Sequence, residues 1–230
     1  MEHLPQAPDH AELPAWRRET PGAHRWPAAV TIAVAVVLQT ILPGRLVLRP
    51  HWLLPALSTL LLVALILLGP GRVATQHRLT RKIALSLVAV VSAGNALSAA
   101  LLVDHLVTGS AGDQAGPLLA SGAAIYITNI VVFSLWYWEF DRGGPAARAA
   151  GASPHPDLLF PQMSSPQLAP LDWEPGYVDY LYLSFTNATA FSPTDVMPLK
   201  VWAKLTMLAQ SAVSLVLVVL VVARAVNILH

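Results

Sequence analysis

Cysteine is absent from this 230-residue chain, which excludes disulfides, thiolate metal sites and thiol catalysis in one step. Charge is scarce too. The 14 basic and 13 acidic side chains make up 12% of the residues, about half the share of an average soluble domain. A net charge of +1 gives no case for a nucleic-acid partner. Also lacking are a nucleophile–base pair, a phosphate loop and histidines at metal-ligand spacing. The sequence therefore points to no enzyme, no metal site and no cofactor. Apolar residues are what the chain has in quantity, at 55% and a mean hydropathy of +0.55. That excludes a disordered chain. It predicts an all-α integral membrane protein of the plasma membrane, with the lipid bilayer as its first partner.

A spanning helix needs about 20 mostly apolar residues to cross a hydrocarbon layer of ~30 Å. Five segments qualify: Trp26 to Leu42, Trp52 to Leu68, Ile83 to Val103, Leu118 to Trp138 and Leu199 to Leu229. Residues 1–25 hold prolines and charges of both signs without a short apolar core, so they read as a flexible polar tail rather than a signal peptide. Residues 26–110 would form a peripheral bundle of three spans. Residues 141–175 are rich in proline, which excludes one long helix or a regular strand. Within them, Asp157 to Pro161 is a short apolar patch expected to lie against the bilayer or the bundle. Trp26, Trp52, Trp136, Trp138 and Trp202 fall at span ends and read as interfacial anchors. Asn95 and Asn129 read as links between packed helices, and Asp104-His105 as a loop-exposed pair.

The stretch YVDYLYLSFTNATAFSPTD, Tyr177 to Asp195, departs from this pattern. Residues 178–190 are apolar enough to enter a membrane, yet 13 helical residues reach only about 20 Å. Pro193 then biases Ser192 away from the helical region, and Pro198 suits the first turn of the last helix. A short helix, an irregular segment over 191–197 and a long spanning helix over 199–229 predict a re-entrant pore-type helix and loop. Irregular backbone at membrane depth persists only where protein buries it or water fills the space beside it. The fold expectation is five transmembrane helices plus this re-entrant helix, with residues 118–230 forming an outer helix (118–138), linker, re-entrant helix and inner helix.

The run Ser184-Phe185-Thr186-Asn187-Ala188-Thr189, with Asp195, Pro198 and Trp202 behind it, resembles the pore-loop region of potassium-channel-like proteins. The resemblance covers about 50 residues. It implies that Thr189 ends the pore helix, that Ala190, Phe191, Ser192, Pro193 and Thr194 occupy the filter strand, and that Asp195 is the acid at the filter mouth. The five-span plan also resembles an uncharacterised prokaryotic family of multi-span membrane proteins of unknown function. The chain departs from the potassium pattern where it matters most. Ser192 and Thr194 stand where the filter glycines belong, and Pro193 replaces the aromatic between them. Carbonyl rings of the usual geometry need the backbone freedom of glycine. What remains is a ring of hydroxyls and carboxylates suited to cations with little discrimination among them.

The expected function is a weakly selective, cation-conducting pore-loop protein, with Thr186 and Asn187 on the pore helix and Ser211 and Ser214 lining the inner helix. One loop per chain cannot enclose a pathway, so a homo-oligomer is implied, a tetramer if it conducts. The alternative is a non-conducting structural or accessory protein. In that reading Thr186, Asn187 and Thr189 only join helices, and Asp195 caps the last helix. Arg72, Arg78, Arg81 and Lys82 lie between the second and third spans with no acid, which places that loop and the N-terminus in the cytoplasm.

Overall fold

The computed structural model describes residues 13–69, 71, 78–110, 114–190 and 195–229. The described residues are all-α apart from one pair of two-residue strands. The helices are α1 (Trp26–Ile41), α2 (Leu53–Leu68), α3 (Arg78–Val107), α4 (Ala115–Phe140), α5 (Pro145–Ala149), α6 (Pro161–Ser164), α7 (Tyr177–Ala190) and α8 (Val201–Leu229). Strand β1 (Leu158–Leu159) pairs antiparallel with β2 (Met197–Pro198). Among the described residues three helices, α3, α4 and α8, are long and apolar enough to cross a membrane, consistent with a membrane protein. The first two, α1 and α2, have 16 residues each, or about 24 Å.

The long helices run past the apolar segments read from sequence. Helix α3 takes in Arg78, Arg81 and Lys82 at one end and Asp104 and His105 at the other. A helix does not stop where its residues become polar, because its hydrogen bonds are internal. Helix α8 begins at Val201 rather than at Pro198, which lies in β2.

Helix α4 is the centre, touching α1, α3, α7 and α8. At its C-terminal end Trp138 packs at a tilt against Tyr177 of α7, 4.8 Å between ring centroids, and Phe140 meets Trp202 of α8 edge-on at 5.7 Å. Near its other end Gly122 packs on Val221, so closely that a Cβ would sit 2.8 Å from Val221 Cγ1. So α8 runs antiparallel to α4, and α7 starts at the same end as α8. At the far end of α7 the Tyr126 hydroxyl donates to the Ala188 carbonyl, about 18 Å down α4 from Trp138. By Met197 the chain is back at the starting end, since β2 pairs with β1 and the Leu158 N–H reaches Asp141 Oδ1.

A polar cap closes that end. Asp141 is fully buried and accepts from the Tyr180 hydroxyl at 2.6 Å, with Arg142 Nε 3.7 Å from its Oδ2. Arg148 Nη1 donates to the carbonyls of Trp138 and Asp141, the last turn of α4, where a helix leaves its carbonyls without internal partners. Arg142 adopts a left-handed backbone (φ 50°), a conformation that costs a side-chain-bearing residue about 1–2 kcal/mol. It is pinned by Asp157, which accepts its N–H, and by the Trp16 carbonyl, which accepts its guanidinium. Trp16 is buried, so the described part of the polar tail is docked on the cap. The apolar patch within the linker packs inward: Leu158 and Phe160 belong to the core. Trp138 is also buried, under Tyr177 and the Arg148 guanidinium, whereas Trp26 and Trp52 are exposed.

Removing the carboxylate of Asp141 strands the Tyr180 hydroxyl and an adjacent buried guanidinium. Breaking a buried pair from one side costs about 3–5 kcal/mol. Asp141→Ala is expected to lose stability on that scale in detergent unfolding, against less than about 1 kcal/mol for Glu174→Ala, whose half-buried bond to the Thr20 hydroxyl is nearer the surface.

Candidate functional site

The chemistry-bearing residues of α7 lie in the seam between α4 and α8, and they are organised by a glutamine. Gln210, ten residues into α8, is fully buried. Its Oε1 accepts from the Tyr137 hydroxyl at 2.7 Å and from Asn187 Nδ2 at 2.9 Å. Its Nε2 donates to the Ser184 carbonyl at 2.9 Å and to Ser184 Oγ at 2.7 Å. Both amide donors and both carbonyl lone pairs are thereby used. Ser184 Oγ in turn donates its hydroxyl hydrogen bond to the Ile130 carbonyl at 2.6 Å. Asn187 Nδ2 also reaches the Met207 carbonyl at 3.0 Å. One side chain thus ties three helices together.

A helix that ends inside a bundle must find partners for its last four carbonyls. Residues 187–190 carry those of α7. The Asn187 carbonyl accepts from Ser211 Oγ at 3.2 Å and the Ala188 carbonyl from the Tyr126 hydroxyl at 2.9 Å. At the other end the Tyr177 hydroxyl bonds Thr31 of α1 and Ser134 of α4, each at 2.8 Å. Gly176 N–H donates to Asp179 Oδ2 at 2.7 Å, which satisfies a donor at the helix start.

Of the residues singled out by sequence, Asn187, Ser211 and Ser214 are brought into this seam. Ser214 is buried, with its hydroxyl accepting from Asn129 Nδ2 at 3.3 Å. Thr186 is half-buried, and its hydroxyl turns back to the carbonyls of Tyr182 and Leu183 in its own helix. Thr189 and Ala190 are exposed at the tip of α7. Phe191, Ser192, Pro193 and Thr194 lie outside the described residues. Asp195 is exposed; with α8 starting at Val201 the N-cap position falls at Lys200, so Asp195 does not cap that helix. Sequence reasoning passed over Gln210 and Tyr137, and gave Ser184, though it opens the pore-loop-like run, no role of its own. A glutamine ten residues into a spanning helix was itself a signal, because an amide in hydrocarbon is retained only with partners.

Comparisons of the chain with protein-family models, with curated proteins and with solved structures return no match. The geometry alone carries the functional reading.

Gln210→Leu keeps the volume and leaves Tyr137, Asn187 and Ser184 each short of a buried partner. A loss of about 2 kcal/mol or more is expected in detergent-unfolding measurements. Thr186→Ala removes only a hydroxyl bonded within its own helix and is expected to stay within about 0.5 kcal/mol of wild type.

Proposed function

We propose that the chain is a five-span membrane protein with one re-entrant helix, α7, which assembles around an axis, most simply as a tetramer, into a weakly selective cation pathway. The observation that carries this reading is the course of α7. It starts beside the end of α4, runs about 20 Å into the bundle, and the chain is back at the starting end at β2. The bonded carbonyls at its tip are what a helix ending at membrane depth requires. Helices α1 and α2 complete the five spans, with exposed Trp26 and Trp52 at the headgroup level.

The distribution of cations supports an orientation. Arg17, Arg18, Arg25, Arg78, Arg81, Lys82, Arg142, Arg148, Lys200 and Lys204 belong to the capped end; Arg45, Arg49 and Arg224 belong to the other. By the positive-inside rule the cap and the N-terminal segment are cytoplasmic, so α7 enters from the cytoplasmic side of the plasma membrane. Labelling of Ser153→Cys checks this in a chain with no other thiol: modification only in permeabilised cells is expected, and modification in intact cells by an impermeant reagent contradicts it.

The exposed tip residues Thr189 and Ala190, and the exposed Asp195 at the mouth, are the groups left for a pathway between chains. Their neighbours on α7, Val178, Tyr182 and Phe185, form an exposed apolar face that lipid or another copy would cover. Carboxylates converging at a mouth attract cations. A second reading, a non-conducting accessory protein, is favoured by the way Ser184, Asn187 and Ser214 find their partners inside one chain.

Flux measurements on the purified chain in liposomes decide between them. In the conducting reading wild type passes cations, and Asp195→Asn reduces both flux and cation-over-anion preference while stability changes by no more than about 0.5 kcal/mol. Selectivity that ignores Asp195→Asn removes this residue from the pathway. A wild type without flux supports the accessory reading.

A further inference from the structure

At the capped end, between α1, α2 and α4, lies a cavity of about 390 Å3, within the range of small-ligand sites. Its walls are mostly apolar, with Val30, Leu62 and Ile66 among them. Two lining side chains are ionic. Arg25, just before the first residue of α1, has a buried Nη1 that meets no hydrogen-bond partner among the described residues; Glu139, in the last turn of α4, has a buried Oε2 in the same condition. They do not bond to each other. Leaving a buried atom of a charged group without a partner is costly, and here two such atoms, on groups of opposite sign, face one space.

The site is shaped to hold the guanidinium. Gly69, which follows α2, also lines the cavity, and a Cβ there would fall 2.8 Å from Arg25 Nη1. No side chain caps the N-terminus of α1, whose first N–H groups lack helical partners and favour an anion. Trp26 lines the same opening and is 66% exposed, as expected of a ring at headgroup depth. Other cations do act on Glu139, namely Arg148 and Arg81. But Arg148 Nη1 is committed to two carbonyls, and Arg81 is exposed.

We infer that this cavity binds a zwitterionic phospholipid with a primary ammonium headgroup. Its phosphate accepts from Arg25 and the α1 N-terminus, its ammonium donates to Glu139, and its acyl chains lie over Val30, Leu62 and Ile66. The chemistry selects this class. Phosphatidylglycerol would answer Arg25 but offer Glu139 only neutral hydroxyls, with no ammonium to balance the carboxylate and a net negative charge beside it. A choline headgroup carries the right charge but has no N–H to donate. The inference needs only that the chain lies in a bilayer, and it stands apart from any pathway through the protein.

Native mass spectrometry of the full chain, delipidated in detergent and titrated with dioleoyl phosphatidylethanolamine, phosphatidylcholine or phosphatidylglycerol, tests it. The ethanolamine lipid is expected to bind about tenfold more tightly than either of the others, the scale of one charge-assisted hydrogen bond. Glu139→Gln should bring ethanolamine and choline lipids to within about twofold of each other. Gly69→Ala, which displaces Arg25 and removes no charge, should weaken the ethanolamine lipid several-fold. Free phosphoethanolamine should not compete at lipid concentrations, because the apolar walls hold acyl chain. Equal binding of ethanolamine and choline lipids by wild type, or a preference for phosphatidylglycerol, would overturn the inference without recourse to any variant. Competition by free phosphoethanolamine would overturn the lipid assignment in favour of a soluble zwitterion.

Discussion

A helix that stops halfway into an apolar bundle must hand its terminal backbone groups to side chains, and much of this structure follows from that requirement. In α7 two terminal carbonyls, Asn187 and Ala188, are taken up by Ser211 from α8 and Tyr126 from α4. Around them Gln210 uses every donor and acceptor of its amide within the seam. No one of these bonds is strong; interhelical hydrogen bonds in membranes average about 0.6 kcal/mol in mutant cycles. Their effect lies in what they forbid. A helix that slid or turned along the seam would leave several buried polar groups unpaired together, and each such group costs about 1–3 kcal/mol.

The cap solves the same problem at the other end of α7. Its first turn meets the end of α4 through Tyr177 and Tyr180, and Tyr180 is locked to Asp141. Asp157 then links the turn after α4 to the start of α8, accepting from Arg142 N–H and from Trp202 Nε1, while its carbonyl accepts the Leu199 N–H. The ends of three helices are thus fixed by two carboxylates. The left-handed Arg142 is the local strain that this arrangement holds in place.

Much of this was legible in the sequence, and the illegible part has a common cause. The apolar runs located α3, α4 and α8, and the shortness of 178–190 together with Pro193 singled out α7 to within one residue of its start. Hydropathy marks the hydrocarbon part of a helix, so the polar ends of α3 were missed. Residue type alone did not say which face of α8 meets a neighbour, and Ser214, read as lumen-facing, is buried on Asn129. The cap was invisible because its contacts are distant in sequence: Arg142 meets a carbonyl 126 residues away, and Tyr180 meets Asp141 across 39. Trp16 looked like part of a polar tail for the same reason. Trp138 looked like an anchor because nothing in its neighbourhood announced that Tyr177 and Arg148 would cover it.

In the proposed re-entrant course α7 enters and leaves the membrane on one side. Asp172 and Lys200 are both exposed and flank it in the chain, and the absence of native cysteine allows one thiol to be placed at each in turn. Labelling of Asp172→Cys and Lys200→Cys in oriented membrane vesicles, with an impermeant maleimide, should modify both from the same face. Modification from opposite faces would make α7 part of a span and contradict the account.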